Sequence, residues 1–419
     1  MNSRDEQIRG QAAEFESCHE RELKRIQGQL LHKKFEFDSS KAVLKDKKKR
    51  IAQGKNPRPI VIGTIKNRVV QRAILQVLQP TRVLDNKNPN SRVELLNDPR
   101  LFNINNVNRS KYGVGGLISP YGGVEPALSF ALTAMDNGAK FVCRSDIKGF
   151  FDQIPVATVC SNLEEQIADP DFVELFKSAL SVSIDNIDEV RDFLHIFPSD
   201  GRGVAQGSSL SSFAGNLLLY ALDHEMNDSC VDFVRYVDDV LILGKTESDV
   251  NRAWNRLNEK LSAFGFSLYL PQKGSEKAFQ GKCENSFDFL GCTLQPNRCV
   301  PSSKAVKSLI SSVNAELSKS KNSIGRITSH NDASDAASLP ARTLDTVGKR
   351  IYGWQKSFSF STDKQAFRHI DREVEKSVLD YWSFVIRASS KFQPEQKRQL
   401  LGVPTISSME TKNLRKGER

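Results

Sequence analysis

At 419 residues the chain exceeds the usual length of one domain and can bury a sizeable core, so two or three packed lobes are expected. Its 39% hydrophobic and 26% charged content is ordinary for a globular protein, and its apolar run at 216–222 is too short to span a bilayer. A formal charge of +10 favours a polyanionic partner whose phosphates it could neutralise, although solvated lysines on helix faces would give the same balance.

Residues 1–54 read as a basic N-terminal helical extension, densest at Lys45-Asp46-Lys47-Lys48-Lys49-Arg50, which is either a solvated arm or a phosphate-tracking surface. Met1 to Gly10 is polar, with no apolar core of a secretion signal, so a cytoplasmic location is expected. Residues 57–65 combine β-branched side chains with prolines and Gly63, which predicts strand and turn. Val70, Ala73, Ile74, Val77 and Leu78 keep helical spacing until Pro80 stops the pattern. Residues 86–120 look like loop, 124–135 like a buried helix, and 141–143 like a strand opening a mixed α/β unit.

Gln206-Gly207 opens a predicted helix that ends in Asn216-Leu217-Leu218-Leu219. Residues 231–236 and 240–243 are short apolar strands around a polar turn, hence a hairpin. Thr246 and Asp249 form a capping-box pattern, and Val250, Ala253, Trp254, Leu257, Leu261 and Phe264 line one face of the helix that follows. Beyond residue 300 the pattern turns helical, with Val306, Leu309, Ile310, Val313 and Leu317 on one face. A polar connector over 320–340 and helices at 344–354 and 366–385 come next, and the tail from 389 is uninformative. The seven cysteines are odd in number and scattered without a Cys-x-x-Cys pair, so neither a disulfide framework nor a zinc site is indicated and they read as buried thiols.

The chemistry concentrates in Asp146 and in the pair Asp238-Asp239, each at the end of a predicted apolar strand. Paired carboxylates there repel one another unless a cation neutralises them, and hard oxygen ligands suit magnesium. Two such ions can activate a 3′-hydroxyl and stabilise the leaving pyrophosphate. The plain alternative is an exposed Asp-Asp hairpin turn, since aspartate tolerates turn dihedrals.

The ordered set Arg144-Ser145-Asp146-Ile147-Lys148-Gly149-Phe150-Phe151-Asp152, Gln206-Gly207 and Tyr236-Val237-Asp238-Asp239 resembles the reverse-transcriptase family. So do Arg68-Val69-Val70-Gln71, Phe289-Leu290-Gly291, and Ile351-Tyr352-Gly353-Trp354 with His369-Ile370-Asp371, and the resemblance spans roughly residues 55–385. It implies an α+β right-hand polymerase with fingers (55–140), palm (141–299, an antiparallel sheet plus helices) and helical thumb (300–388), followed by a tail (389–419).

Carried over residue by residue, the resemblance makes Asp146, Asp238 and Asp239 the metal ligands, with the Ile147 carbonyl as a further one. The cofactor is two Mg2+ ions, with Mn2+ as the substitute. Phe151 would pack against the sugar of the incoming nucleotide and reject a 2′-hydroxyl, or else be a core residue. Gln206 and Gly207 would floor the nascent base pair, where glycine lets backbone approach closely. Lys55, Arg58 and Arg68 would clamp the triphosphate, and Lys273 would protonate the leaving group.

The resemblance has departures. The Gln-Gly block continues Ser-Ser-Leu-Ser-Ser without the common proline, and Gly63 stands where relatives often carry proline. No endonuclease or ribonuclease H pattern and no retron signature is visible, so the nearest group by analogy is the stand-alone bacterial enzymes linked to phage defence.

The implied activity is RNA-directed DNA synthesis in antiviral defence, with a dedicated non-coding RNA as template, deoxynucleotides as substrates and DNA as product. No membrane partner is expected, and a homo-oligomer is allowed. Untemplated or protein-primed synthesis by the same palm is one alternative, and an RNA-binding maturase or scaffold is another.

Overall fold

The computed structural model describes residues 6–80, 98–118, 121–199, 201–272, 275–330, 340–390 and 392–400. The chain divides into two compact units, Met1–Asn285 and Ser286–Arg419.

The first unit opens with helices Glu6–Ser17 and His19–Leu31, then the antiparallel hairpin β1 (Lys41–Lys45) and β2 (Arg58–Ile62). Lys45 pairs with Arg58, so the basic run lies partly in a strand and partly in the five-residue helix Lys47–Ile51 at the hairpin end. The expected boundary at residue 54 falls inside this hairpin. Helix Ile65–Leu78 starts where the Thr64 side chain accepts from the Asn67 N–H, a cap that satisfies an otherwise orphaned donor. Its Val70, Ile74 and Leu78 enter the core as the 3.6-residue spacing requires.

The centre of this unit is a four-stranded antiparallel sheet in the order β4-β5-β3-β6, with β3 Phe141–Asp146, β4 Val231–Tyr236, β5 Asp239–Gly244 and β6 Phe279–Lys282. Helices Val124–Asp136, Ser211–Glu225 and Glu247–Ala263 pack on it. Val142, Val234, Leu241, Ile242 and Leu243 are almost wholly inaccessible, and burying side chains of this kind is worth roughly 1.5–3 kcal/mol each. Thr246 caps the last of these helices, accepting from the Asp249 N–H while its hydroxyl donates to the Asp249 carboxylate.

The second unit contains a three-stranded antiparallel sheet, β7 (Phe287–Phe289), β8 (Cys292–Gln295) and β9 (Arg298–Pro301). Helices Ser303–His330, Pro340–Ser357 and Lys364–Ser389 enclose Leu309, Val313, Leu317, Val347, Ile370 and Val385. Among the described residues, no helix is long and apolar enough to cross a membrane.

Several sequence expectations are corrected. The stretch 98–118 is not plain loop, because Ile104–Asn108 is helical and buries Ile104 and Val107 one turn apart; residues 86–97 and 119–120 lie outside the described residues. The polar connector begins later than expected. The helix from Ser303 runs through Ser320 to His330, since Ile324 reaches the core and Ser320 hydrogen-bonds Tyr381 at 2.8 Å; residues 331–339 are not described. Gln206-Gly207 precedes the helix that starts at Ser211, because Gly207 has φ +119°, which no helix accommodates. Pro394–Leu400 is helical within the tail. Five cysteines are buried thiols, but Cys230 is exposed and Cys18 is half-buried.

Candidate active site

The site is set by strand register. In the β3–β5 ladder Asp146 pairs with Asp239, and in the β4–β5 ladder Tyr236 pairs with Asp239, which leaves Val237-Asp238 as a two-residue turn. Three carboxylates from positions 92 residues apart therefore sit on neighbouring backbones at one end of the sheet. Val237 has φ +60°, as the first central position of a type II′ hairpin requires; a β-branched residue there is strained. The Ile147 N–H donates to the Asp238 carbonyl at 2.8 Å and so ties the end of β3 to the turn, while the Ile147 side chain is buried.

The electrostatics of the carboxylates differ. Burial pushes the Asp239 carboxyl up to about 7, the neighbouring Asp238 adds to the rise, and Arg144 opposes it. Asp238 is also raised by burial, against the pull of Arg235 and Arg58. Asp146 is almost wholly buried and is ion-paired with the Lys277 ammonium. The Lys277 and Lys148 ammonium groups lie 5.6 and 5.2 Å from the Tyr269 ring centroid, so two cations share one ring beside Asp146.

Among the described residues no three acidic, histidine or cysteine side chains are gathered tightly enough to enclose an ion. The three backbones lie together at the end of the sheet, whereas among the described residues the side chains form no closed cage. The donor chemistry still fits a hard divalent cation. All three groups are carboxylates, and the burial that raises Asp238 and Asp239, with the Asp238 charge adding to the rise at Asp239, disfavours negative charge that such a cation would neutralise.

The remaining predicted residues scatter around this centre. Phe150 is buried against Phe266, with centroids 5.3 Å apart, which leaves its neighbour Phe151 as the half-buried ring. The Phe151 carbonyl accepts from the Val204 N–H at 2.8 Å. Gln206 donates to the Asp152 carboxylate at 2.7 Å, and its carbonyl accepts from the Val61 N–H at 3.1 Å, joining this turn to β2. A Cβ on Gly207 would sit 3.0 Å from the Val61 carbonyl oxygen, so only glycine suits that approach.

Arg68 and Gly207 line a cavity of about 390 Å³ with Ile60, Gln71 and Ser208, which the three aspartates do not line. Arg58 acts on Asp238 through its field. Lys55 stands in the exposed loop before β2, with its N–H donating to the Arg50 carbonyl at 3.0 Å. Lys273 lies outside the described residues.

Sequence reasoning missed Lys277, Tyr269, Lys148 and the supports beneath the turn. Arg235 is fully buried. It donates to Asp223 from Nε at 2.8 Å and from Nη2 at 2.6 Å, to Asn216 at 3.2 Å, and to the Val237 carbonyl from Nη1 at 2.9 Å. An arginine inside the largely apolar strand Val231–Tyr236 was the available signal, because an arginine is rarely fully buried without a partner.

Residues 45–294 match the family model described as reverse transcriptase (RNA-dependent DNA polymerase). That is more than half of the chain, which therefore belongs to the reverse-transcriptase family, a family of nucleotidyltransferases with the right-hand polymerase fold that generally uses divalent metal ions. Among solved structures the chain is similar to telomerase from Candida albicans, at 13% identity and TM-score 0.42, covering 89% of this chain and 67% of that one. Telomerase from Candida tropicalis, in complex with a fragment of telomeric RNA, gives 11% identity and TM-score 0.41, with 88% and 64% covered. A partial Cas6-RT-Cas1–Cas2 complex gives 18% identity and TM-score 0.30, with 61% and 40% covered. The chain thus spans about two thirds or less of the length of these structures. No curated protein matches it by sequence.

Proposed function

We propose that this chain is an RNA-templated DNA polymerase that extends a 3′-hydroxyl with deoxynucleotides at the Asp146, Asp238 and Asp239 end of the sheet. The observation that carries the reading is the register that sets Asp146 opposite Asp239 with Asp238 in the adjoining turn, inside the segment that matches the family. Asp146, Asp238 and Asp239 would hold two magnesium ions, with the Ile147 carbonyl as a further ligand. Bound there, they would supply charge stabilisation for in-line nucleotidyl transfer.

The chain's own residues do the rest. Arg58, Arg68 and Lys55 offer positive charge to the triphosphate from β2 and its flanks, and Lys148 and Lys277 add charge beside Asp146. Lys273 is the proposed proton donor to the leaving group. Phe151 selects deoxyribose by filling the space of a 2′-hydroxyl, and its neighbour's burial supports that role, since the pair cannot both turn inward. Gln206 and Gly207 present a close backbone surface beneath the nascent pair. Residues 55–140, 141–299 and 300–388 are the proposed fingers, palm and thumb. The wider setting, bacterial antiviral defence with a dedicated non-coding RNA, rests on the resemblance to stand-alone bacterial enzymes and would be read by sequencing nucleic acid that copurifies with the protein.

Purified protein with primer, RNA template, magnesium and deoxynucleotides should yield a faithful copy, and Asp238→Asn or Asp239→Asn should abolish it. Extension that persists in those variants removes the proposed site. Products unrelated to the supplied template remove templated synthesis.

A further inference from the structure

The Tyr-Val-Asp-Asp turn is held from beneath by a buried polar network. Arg235 precedes the turn on β4, and its side chain is 1% exposed, as its partner Asp223 is at 2%. The guanidinium fork grips Asp223 with two hydrogen bonds, while Nη1 donates to the carbonyl of Val237, the strained residue of the turn. Nη2 also donates to Asn216, whose own amide donates to the Gly115 carbonyl at 2.7 Å.

The segment around Gly113 runs beside β4. The Arg235 N–H donates to the Tyr112 carbonyl at 2.6 Å, and the Val114 N–H donates to the Arg235 carbonyl at 2.9 Å. A Cβ on Gly113 would strike the Asp223 carboxylate and Arg235, and one on Gly115 would strike the Val237 N–H and the Tyr236 carbonyl carbon. Helix Ser211–Glu225, segment 112–116 and the carboxylate turn therefore meet on one side chain.

We infer that Arg235 is a positioning residue for the proposed metal-binding carboxylates: it clamps the Val237 carbonyl and so keeps Asp238 and Asp239 at their place against the end of β3. The physical basis is a contest between strain and restraint. Val237 at positive φ is strained and persists only where its surroundings over-determine it. A planar, five-donor guanidinium can hold a carboxylate and a carbonyl at once, whereas a lysine ammonium is a single point on a flexible stem. Arg235→Lys would therefore keep the charge near Asp223 but release the turn, allowing Val237 to relax and the following carboxylates to move with it. A displacement of about 1 Å in such a site lowers a rate on the order of 10²-fold. The inference rests on the polymerase reading of the same carboxylates.

The test pairs Arg235→Lys with Val237→Gly, since glycine adopts the first position of a type II′ turn without strain. Mn2+ binding to the free protein is read by electron paramagnetic resonance, and single-turnover primer extension and thermal midpoint are measured in parallel. Arg235→Lys is expected to lose on the order of 10²-fold in extension rate and about tenfold in Mn2+ affinity. Adding Val237→Gly should recover about tenfold in rate, together with the lost Mn2+ affinity, while the thermal midpoint stays that of Arg235→Lys.

A second variant guards against misfolding. Arg235→Met with Asp223→Leu replaces a buried ion pair by apolar side chains of similar size, which is often neutral for stability. It should fold and still lose extension. Wild-type rate and Mn2+ affinity in folded Arg235→Met/Asp223→Leu, or no recovery on adding Val237→Gly, overturns the positioning role. Wild-type protein that neither binds Mn2+ nor extends primers overturns the polymerase reading instead.

Discussion

Replacing Asp239 with asparagine should stabilise the metal-free protein while destroying its activity. Burial and Asp238 push the Asp239 carboxyl from 3.8 to about 7. A group whose folded pKa is raised above its unfolded value gives stability that is fully present below pH 4 and is lost as pH rises through 7. Ionised Asp239 thus opposes folding at pH 8. Moving the carboxyl from 3.8 to about 7 corresponds to roughly 4 kcal/mol. Because Asp239 is only half-buried, so that it keeps part of its hydration and water screens the Asp238 charge, the expected cost is nearer 2 kcal/mol.

Asp239→Asn removes this cost, so without metal at pH 8 its thermal midpoint should exceed that of the wild type by about 3 °C. At pH 5 the wild-type carboxyl is already protonated in the fold, and the gain should shrink by more than half. Magnesium should raise the wild-type midpoint and leave the variant's unchanged. Differential scanning calorimetry in EDTA and in magnesium, at both pH values, reads all of this. Equal midpoints at pH 8, or a larger gain at pH 5, would refute the argument that burying the Asp239 charge beside Asp238 opposes folding.

Metal affinity should follow the same carboxyl. Cations compete with its proton, so the dissociation constant for Mn2+ should rise about tenfold between pH 8 and pH 6, as a titration followed by electron paramagnetic resonance would show. Phe151→Ala should admit ribonucleotides, lowering the preference for deoxynucleotides by on the order of 10²-fold in competing single-nucleotide extensions. A retained preference would return Phe151 to the core. Thr246→Ala should remove about 1 kcal/mol by uncapping helix Glu247–Ala263, shift the denaturation midpoint, and leave the extension rate of the folded protein unchanged.

Local patterns were the legible part. The apolar strands 231–236 and 240–243 and the helices with 3.6-residue spacing all formed, because each depends on side chains within one or two turns of one another. Thr246 capped its helix for the same reason. The expectation of loop at 98–118 failed because Ile104 and Val107 are helical through burial in the core, a tertiary term that polar neighbours disguise. The connector at 320–330 failed likewise, since Ser320 and Ile324 are satisfied by Tyr381 and the surrounding helices rather than by local periodicity.

The amino-acid order alone determined that Asp146, Asp238 and Asp239 terminate apolar strands, and which positions carry the family's ordered motifs. Tertiary structure decided what surrounds them. Lys277, 131 residues after Asp146 in the chain, meets its carboxylate; Arg235 reaches Asp223, Asn216 and the Val237 carbonyl; and Gly115 is pressed against the turn. Strand and helix patterns repeat every two to four residues and can be read along the chain. Hydrogen bonds and charge pairs between distant segments depend on sheet register and packing, which no local spacing encodes.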